Sequence, residues 1–291
     1  MTYPKLEEYL GSLLNHSNDA RKLWVDDRNR VQGRFKSCSL TSLFQATLNA
    51  GDGTIYAFDT FPQTYSAEDT GLSIWQLLMN GATDDESIEL DRLARTIHIV
   101  NFFRQTESNQ AKVIIDVHDR LITAVNSNHG AAFSRIISGL ELPQGQIILQ
   151  LPSVKNSQSW ALSHVLDNYR FNGFQVATRA IDVADAIFQI NLLQPSIVRI
   201  DITRIGTGDR LPELIRVADS KGSKLLFGRI ETDTELRLII DAAGKADVSK
   251  LGLLVQGPLI SNMDSSLSNI AIHDIYSQIQ RDSERGHYAF G

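Results

Sequence analysis

The sequence predicts an α/β barrel whose first strand is antiparallel to its partner, with helical extensions at both ends. Two observations carry that expectation. Short, nearly continuous apolar runs alternate with segments of helical periodicity: VIIDV at 113–117, IILQL at 147–151, FQVAT at 174–178, IVRID at 197–201, KLLF at 224–227 and LGLLV at 251–255, separated by stretches such as SWALSHVLDNY and TELRLIIDAAG. Strands apolar on both sides and separated by helices belong to a parallel sheet covered on both faces, and so many repeats favour closure over an open sheet. The second observation is FQATLNAGDGTIYAFDTF at 44–61, two alternating strands around Gly51-Asp52-Gly53. It reads as an antiparallel hairpin with Ile55, Ala57 and Asp59 on one face.

The remaining elements follow in order. Leu6, Tyr9, Leu10, Leu13 and Leu14 fall at helical spacing and lead into the charged stretch DDRNRVQGR, so residues 1–33 are expected to form a helical extension. A helix from Ser87 places Leu90, Leu93, Ala94 and Ile97 on one side. Residues 34–262 are then the barrel and 263–291 a tail. Leu267, Ile270, Ala271 and Ile275 share a face behind Ser265 or Ser266, which predicts a helix there.

Composition narrows the function. With 291 residues, 42% hydrophobic and 21% charged, the chain is long enough to bury a substantial core. Its formal charge of −6 argues against a broad basic face for nucleic acid. Cys38 is the lone cysteine, so no internal disulfide and no cysteine-based zinc cluster can form. The amino terminus lacks a cationic start followed by an apolar core, and no run of about 18 apolar residues occurs. A cytoplasmic protein without membrane contact is expected.

In α/β barrels, chemistry sits at the carboxyl ends of the strands. The residues there are Asp59, Asp116, Gln150, Arg179, Arg199, Arg229 and Gln256. GTG at 206–208 follows a strand and precedes a helix, but the third glycine of a dinucleotide fingerprint is missing, so it reads as a turn. Of the histidines, only His118, beside Asp116, stands near a strand end, and none forms a His-x-x-x-His pair. There is no Gly-x-Ser-x-Gly elbow.

The order and spacing of several stretches resemble the EAL family, bacterial phosphodiesterases that hydrolyse the second messenger cyclic di-GMP. FQATLNAGDGTIYAFDTF is similar to the family's opening hairpin, with Gln45 kept and Asp59-Thr60-Phe61 in place of Glu-Ala-Leu. SIELDRLARTIHIV resembles its Leu-Asp-Arg helix, LPQGQIILQLPS its Leu-Glu-Ile-Thr-Glu strand, and RID at 199–201 its Lys-Ile-Asp. LLFGRIET resembles its Ile-Ala-Glu-Gly-Val-Glu-Thr, and VQGPLI its Gln-Gly stretch. The resemblance covers roughly residues 34–262 and implies an EAL-type (β/α)8 barrel.

The resemblance also implies a site that has been changed. An EAL phosphodiesterase holds two divalent ions with carboxylates and amides, because hard cations need several oxygen ligands and the metals activate the attacking water. By position, its metal-binding Glu becomes Asp59, its Asn becomes Asp116 and its next Glu becomes Gln150. Its paired aspartates fall on Arg179 and Ala180, its Ala-Glu-Gly glutamate on Gly228, its catalytic Lys on Arg199 and its phosphate-gripping Arg on Gln63. Glu231 and Gln256 are unchanged.

An arginine neither ligates a metal nor serves as a general base. The expectation is therefore a catalytically inactive module with no cofactor and no bound metal, acting through a regulatory protein partner in bacterial signalling. The alternatives are a receptor that binds cyclic di-GMP without cleaving it and, third, an atypical phosphodiesterase. A homodimer is left open. In the remnant pocket (Gln45, Asp59, Asp116, Gln150, Arg179, Arg199, Glu231, Gln256), Arg179, Arg199 or Arg229 are expected to replace the metal's charge by pairing with Asp59, Asp116 and Glu231.

Overall fold

A Gly-Asp-Gly turn opens the barrel. Strand β3 (Cys38–Asn49) and strand β4 (Ile55–Ser66) flank it. Asn49 N–H donates to Thr54 O at 2.9 Å, the Asp52 carboxylate accepts from Thr54 N–H at 2.9 Å, and Gly53 takes φ 70°, a left-handed conformation that suits glycine. The computed structural model describes residues 3–14, 22–36, 38–66, 83–106, 111–119, 129–153, 159–247 and 252–274.

Before the hairpin lie helix α1 (Pro4–Leu14) and two short strands, β1 (Leu23–Val25) and β2 (Val31–Phe35). After it come helix α2 (Asp84–Phe103), β5 (Lys112–Asp116), α3 (His129–Gly139), β6 (Ile147–Leu151), α4 (Ser159–Phe171), β7 (Gln175–Arg179), α5 (Val183–Leu193), β8 (Ile197–Asp201), α6 (Leu211–Lys221), β9 (Lys224–Gly228), α7 (Asp233–Ala246), β10 (Leu253–Val255) and β11 (Met263–Asp264). The strand order is β1-β2-β3-β10-β9-β8-β7-β6-β5-β4, and β3 also pairs with β4, so the eight strands from β3 round to β4 form a closed barrel. The alternating apolar runs of the sequence are its strands.

By chain contacts the barrel divides into two compact units, the first made of Met1–Phe44, Asp59–Val176 and Asp264–Leu267, the second of Gln45–Phe58, Ala177–Met263 and Ser268–Gly291. In the first, α2 starts at a capping box in which Thr83 accepts from Glu86 N–H and the Glu86 side chain accepts from Thr83 N–H. Of the four residues expected on one side, Leu90 and Ile97 are buried, while Leu93 and Ala94 are half-buried. Asp91, Arg95, His98 and Asn101 are buried as well. Each finds a partner on a different element. Asn101 exchanges two hydrogen bonds of 2.8 Å with the backbone of Val31, closing the edge of β2. His98 Nδ1 shares a 2.8 Å hydrogen bond with Ser42 Oγ, and complete burial pushes its pKa down to about 3. Asp91 pairs with Arg95 and accepts from His118 N–H at 2.9 Å, while the Arg95 guanidinium lies 4.6 Å from the Phe133 ring centre.

In the second unit, β7, β8, β9 and β10 are parallel, and β10 meets β3 antiparallel through Val255 opposite Leu48. Asp182 caps α5, and a Thr232–Glu235 capping box starts α7. Gly222, at φ 68°, closes α6 and turns the chain into β9.

The tail differs from expectation. Behind Ser265 and Ser266 there is a 3-10 turn, Leu267–Asn269, and Ile272 then forms an antiparallel bridge with Ser261. Tertiary hydrogen bonds hold this backbone extended: the Gln105 side chain accepts from Leu267 N–H at 2.9 Å, and Asn262 accepts from Ala271 N–H at 2.6 Å. The part of the expected helix beyond Asp274 lies outside the described residues.

Candidate functional site

Asp116, Gln150, Arg179, Arg199 and Gln256 sit at or near the carboxyl ends of strands, whereas Asp59 and Gln45 lie within β4 and β3 and Glu231 lies after β9; register decides which of them meet. In the first unit, Asp116 and Gln150 are Cα partners on β5 and β6, and Gln150 Nε2 donates to Asp116 Oδ1. Gln150 is buried at 1% exposure. Asp59 is buried on β4, where its neighbour Thr60 donates from Oγ1 to Ile114 O at 2.9 Å and ties β4 to β5. Gln63, two repeats of the pleat further along β4, is half-buried.

The second unit holds the arginines. Arg179 and Arg199 are Cα partners on parallel β7 and β8, so two like charges leave adjacent strands on the same face. Arg199 is 4% exposed and donates from Nη2 to Gln256 Oε1 at 2.8 Å. Gln256 donates in turn to Gln45 Oε1, and Gln45 Nε2 donates to Ser261 O at 2.8 Å. Arg199, Gln256 and Gln45 thus form one buried chain anchored on backbone. A buried guanidinium is tolerated only with such partners. Arg179 lies 3.8 Å from Asp201 Oδ1.

Gly228 and Arg199 fit each other closely. A β-carbon on Gly228 would lie 3.0 Å from both Nε and Nη2 of Arg199. The guanidinium therefore fills the space that a side chain at position 228 would occupy. A side chain at 228 would require the Arg199 guanidinium to shift from its present place.

Two expected pairings are corrected. Glu231 and Arg229 are exposed, and among the described residues neither carries an ion pair. Arg229 takes φ 62°, a left-handed backbone at the end of β9 that leaves its side chain exposed. Glu231 gives its N–H to Glu235 at 2.9 Å and belongs to the start of α7. The sequence reading missed Asp201 and Ser261, partners of Arg179 and Gln45. Asp201 stands within RID, two residues from Arg199, and register alone would have paired it with Gly228.

Among the described residues, no three of His, Cys, Asp and Glu are placed to hold a metal. His118 binds Asp91 through its backbone, and its ring Nδ1 lies 3.0 Å from Asp119. The glycines of GTG, at φ 64° and 81°, form a turn in which a β-carbon on Gly208 would press on Leu238 at 3.0 Å.

Solved structures share this fold. The Bacillus subtilis YkuI protein, with an EAL domain, in complex with its substrate c-di-GMP and calcium, superposes with a TM-score of 0.65 at 16% identity over 86% of this chain and 61% of that one. The fold is that of an EAL domain. The EAL domain of Xanthomonas citri FimX in complex with c-di-GMP gives 0.62 at 14% identity, covering 80% of this chain and 91% of that domain. A standalone EAL protein from Vibrio cholerae in its c-di-GMP-bound form gives 0.59 at 14% identity, covering 80% and 95%. The chain spans about three fifths of the Bacillus protein's length. No protein-family model matches the chain, and no curated protein matches it by sequence. No helix among the described residues is long and apolar enough to cross a membrane.

Proposed function

We propose that this EAL fold hydrolyses no cyclic di-GMP and works as a regulatory module that contacts another protein in bacterial signalling. The observation that carries the reading is the interlock of Arg199 with Gly228, at the positions where the EAL resemblance implies a catalytic lysine and a metal-binding glutamate. A site that had merely lost one ligand would keep room for it. Here a buried cation, hydrogen-bonded to Gln256, occupies that room. With Gln150 and Arg179 also standing where carboxylates are implied, the oxygen donors for two hard cations are lacking. Contact with a protein is supported by α5, whose outer face exposes Phe188 and Leu192, with Ile181 just before the helix.

The test is incubation of the purified chain with cyclic di-GMP and magnesium or manganese. No linear product is expected, and metal-dependent turnover abolished by Asp59→Ala would overturn the reading. A second reading, a receptor that binds cyclic di-GMP uncleaved, is favoured by one observation: Arg179 and Arg199 side by side on β7 and β8, two donors for phosphate without a metal. Calorimetric titration separates the two. Saturable heat at sub-micromolar concentration, weakened by Arg179→Ala, would select the receptor.

A further inference from the structure

Residues 268–274 run over the surface of the second unit, with Ala271, Ile272, His273 and Asp274 exposed. They are nonetheless pinned at several points. Asn262 accepts from Ala271 N–H at 2.6 Å and donates from Nδ2 to Asn269 O at 3.3 Å. His273 N–H donates to Ile260 O at 3.0 Å, and its ring Nδ1 lies 2.9 Å from Leu259 O. A carbonyl only accepts, so Nδ1 carries the proton and donates. Ile272 forms its bridge with Ser261. All of these partners belong to residues 259–262, a turn that follows β10.

That turn is also where the amide chain of the strand ends is anchored. Ser261 is wholly buried, its O accepting from Gln45 Nε2 at 2.8 Å and its Oγ from Ala46 N–H at 3.1 Å. Gln45 accepts from Gln256, and Gln256 accepts from Arg199. Leu259 N–H and Gln256 O meanwhile hold the two backbone groups of Ile230, directly after Arg229. A continuous series of hydrogen bonds thus joins exposed His273 to buried Arg199. Its outer end, in water and poor in apolar contacts, is the part that opens at least cost.

We propose that residues 268–274 are a regulatory strap. Docked on 259–262, the strap fixes Ser261 and, through Gln45 and Gln256, the place of Arg199. Released, it loosens that relay and with it the guanidinium that fills the space beside Gly228. The strap and the Arg199 site are then two distinct places coupled through one two-state element, and the coupling is reciprocal: a ligand that prefers the released strap loosens Arg199, and a change at the relay loosens the strap.

The strap does not depend on whether the site is a silent phosphodiesterase or a receptor, since Arg199 occupies it in both readings, and its test reads hydrogen exchange rather than turnover. Exchange in the full chain is followed residue by residue by NMR for the wild type and for Asn262→Ala and His273→Ala, both exposed positions. Each variant removes strap contacts and is expected to speed exchange of the Ala46 amide and the Arg199 guanidinium by about tenfold, the equivalent of one or two hydrogen bonds. In the reverse direction, Gln45→Leu is expected to speed exchange of the Ala271 and His273 amides severalfold. Leu214 on α6, whose N–H donates to Arg210 O at 3.0 Å, should keep its wild-type rate in all three. Faster exchange confined to residues 257–274 in the strap variants would overturn the proposal, as would strap amides unmoved by Gln45→Leu. A rise at Leu214 equal to that at Ala46 would also overturn it, because general loss of stability would then account for both.

Discussion

The guanidinium of Arg199 lies against the α-carbon of Gly228, with Nε and Nη2 each 3.0 Å from where a β-carbon would stand. The two residues lie diagonally on adjacent strands, Arg199 opposite Leu226 and Gly228 opposite Asp201, two positions further along. Gly228→Glu should therefore destabilise the fold by about 1–3 kcal/mol through overpacking. Arg199→Ala alone should also cost stability, by leaving Gln256 without its cation and opening a cavity. Combined, the two substitutions should cost clearly less than their sum. Denaturant melts of the four proteins measure the coupling, and additive losses would show that the residues do not depend on each other.

A second prediction concerns α2. Asp91 and Arg95 form an ion pair with side chains 3% and 1% exposed, and Arg95 also donates to Tyr169 Oη at 3.3 Å. Removing one member strands a buried charge. Asp91→Ala and Arg95→Ala should each cost about 3–5 kcal/mol, whereas replacing both with apolar residues of similar size should cost much less. Equal losses from the single and paired replacements would mean that packing, not charge, dominates at this position.

A third prediction concerns pH. His98 is buried neutral beside Ser42, its pKa down to about 3 from an ordinary value near 6.5. The unfolded chain then binds a proton that the folded chain refuses. This contribution is fully present above about pH 6.5 and is lost as pH falls toward 3, reaching about 2 kcal/mol of lost stability at pH 5. Denaturant midpoints at pH 7.5, 6 and 5 should fall accordingly. His98→Gln, which keeps a polar side chain but does not titrate there, should be less stable at pH 7.5 and should lose less on acidification. A parallel pH profile in both proteins would assign the acid sensitivity elsewhere.

That histidine also shows where sequence stops being legible. The strands were readable because each is an apolar run, covered on both faces, and the hairpin because Gly-Asp-Gly admits only a turn. For α2, the apolar positions Leu90 and Ile97 marked one face, and the polar character of Asp91, Arg95, His98 and Asn101 gave no sign that they are buried. The structure buries those four because Val31, Ser42, His118, Tyr169 and Phe133, all distant in sequence, supply their partners. Hydropathy carries no record of such partners. The same holds for the site: strand ends named Arg199, Gln256 and Gln45, but the chain of amide hydrogen bonds joining them, ending on Ser261, depends on three-dimensional register. The tail failed for the same reason, since Gln105 and Asn262 hold it extended against its own helical pattern.

The last prediction ranks two glycines that sequence alone treats alike. Gly222 ends α6 at φ 68° with nothing within 4 Å of an added β-carbon, so Gly222→Ala should cost only the left-handed backbone penalty of about 1–2 kcal/mol. Gly257 is a different case. At φ 155°, its added β-carbon would run into the backbone N and O of Ile230, atoms that cannot step aside as a side-chain tip does. Those atoms are fixed by hydrogen bonds, Ile230 N–H to Gln256 O at 3.1 Å and Leu259 N–H to Ile230 O at 3.0 Å. Admitting a methyl would push apart the segment after β9 from the one after β10, and with it Gln256, on which Arg199 depends. Gly257→Ala should therefore cost about 3 kcal/mol or more, at or beyond the upper end of overpacking losses, and clearly exceed Gly222→Ala. Thermal melts of the two variants side by side decide it. Equal shifts would mean that the close approach of Gly257 to Ile230 relaxes without cost, and that the loop carrying Gln256 is softer than its hydrogen bonds indicate.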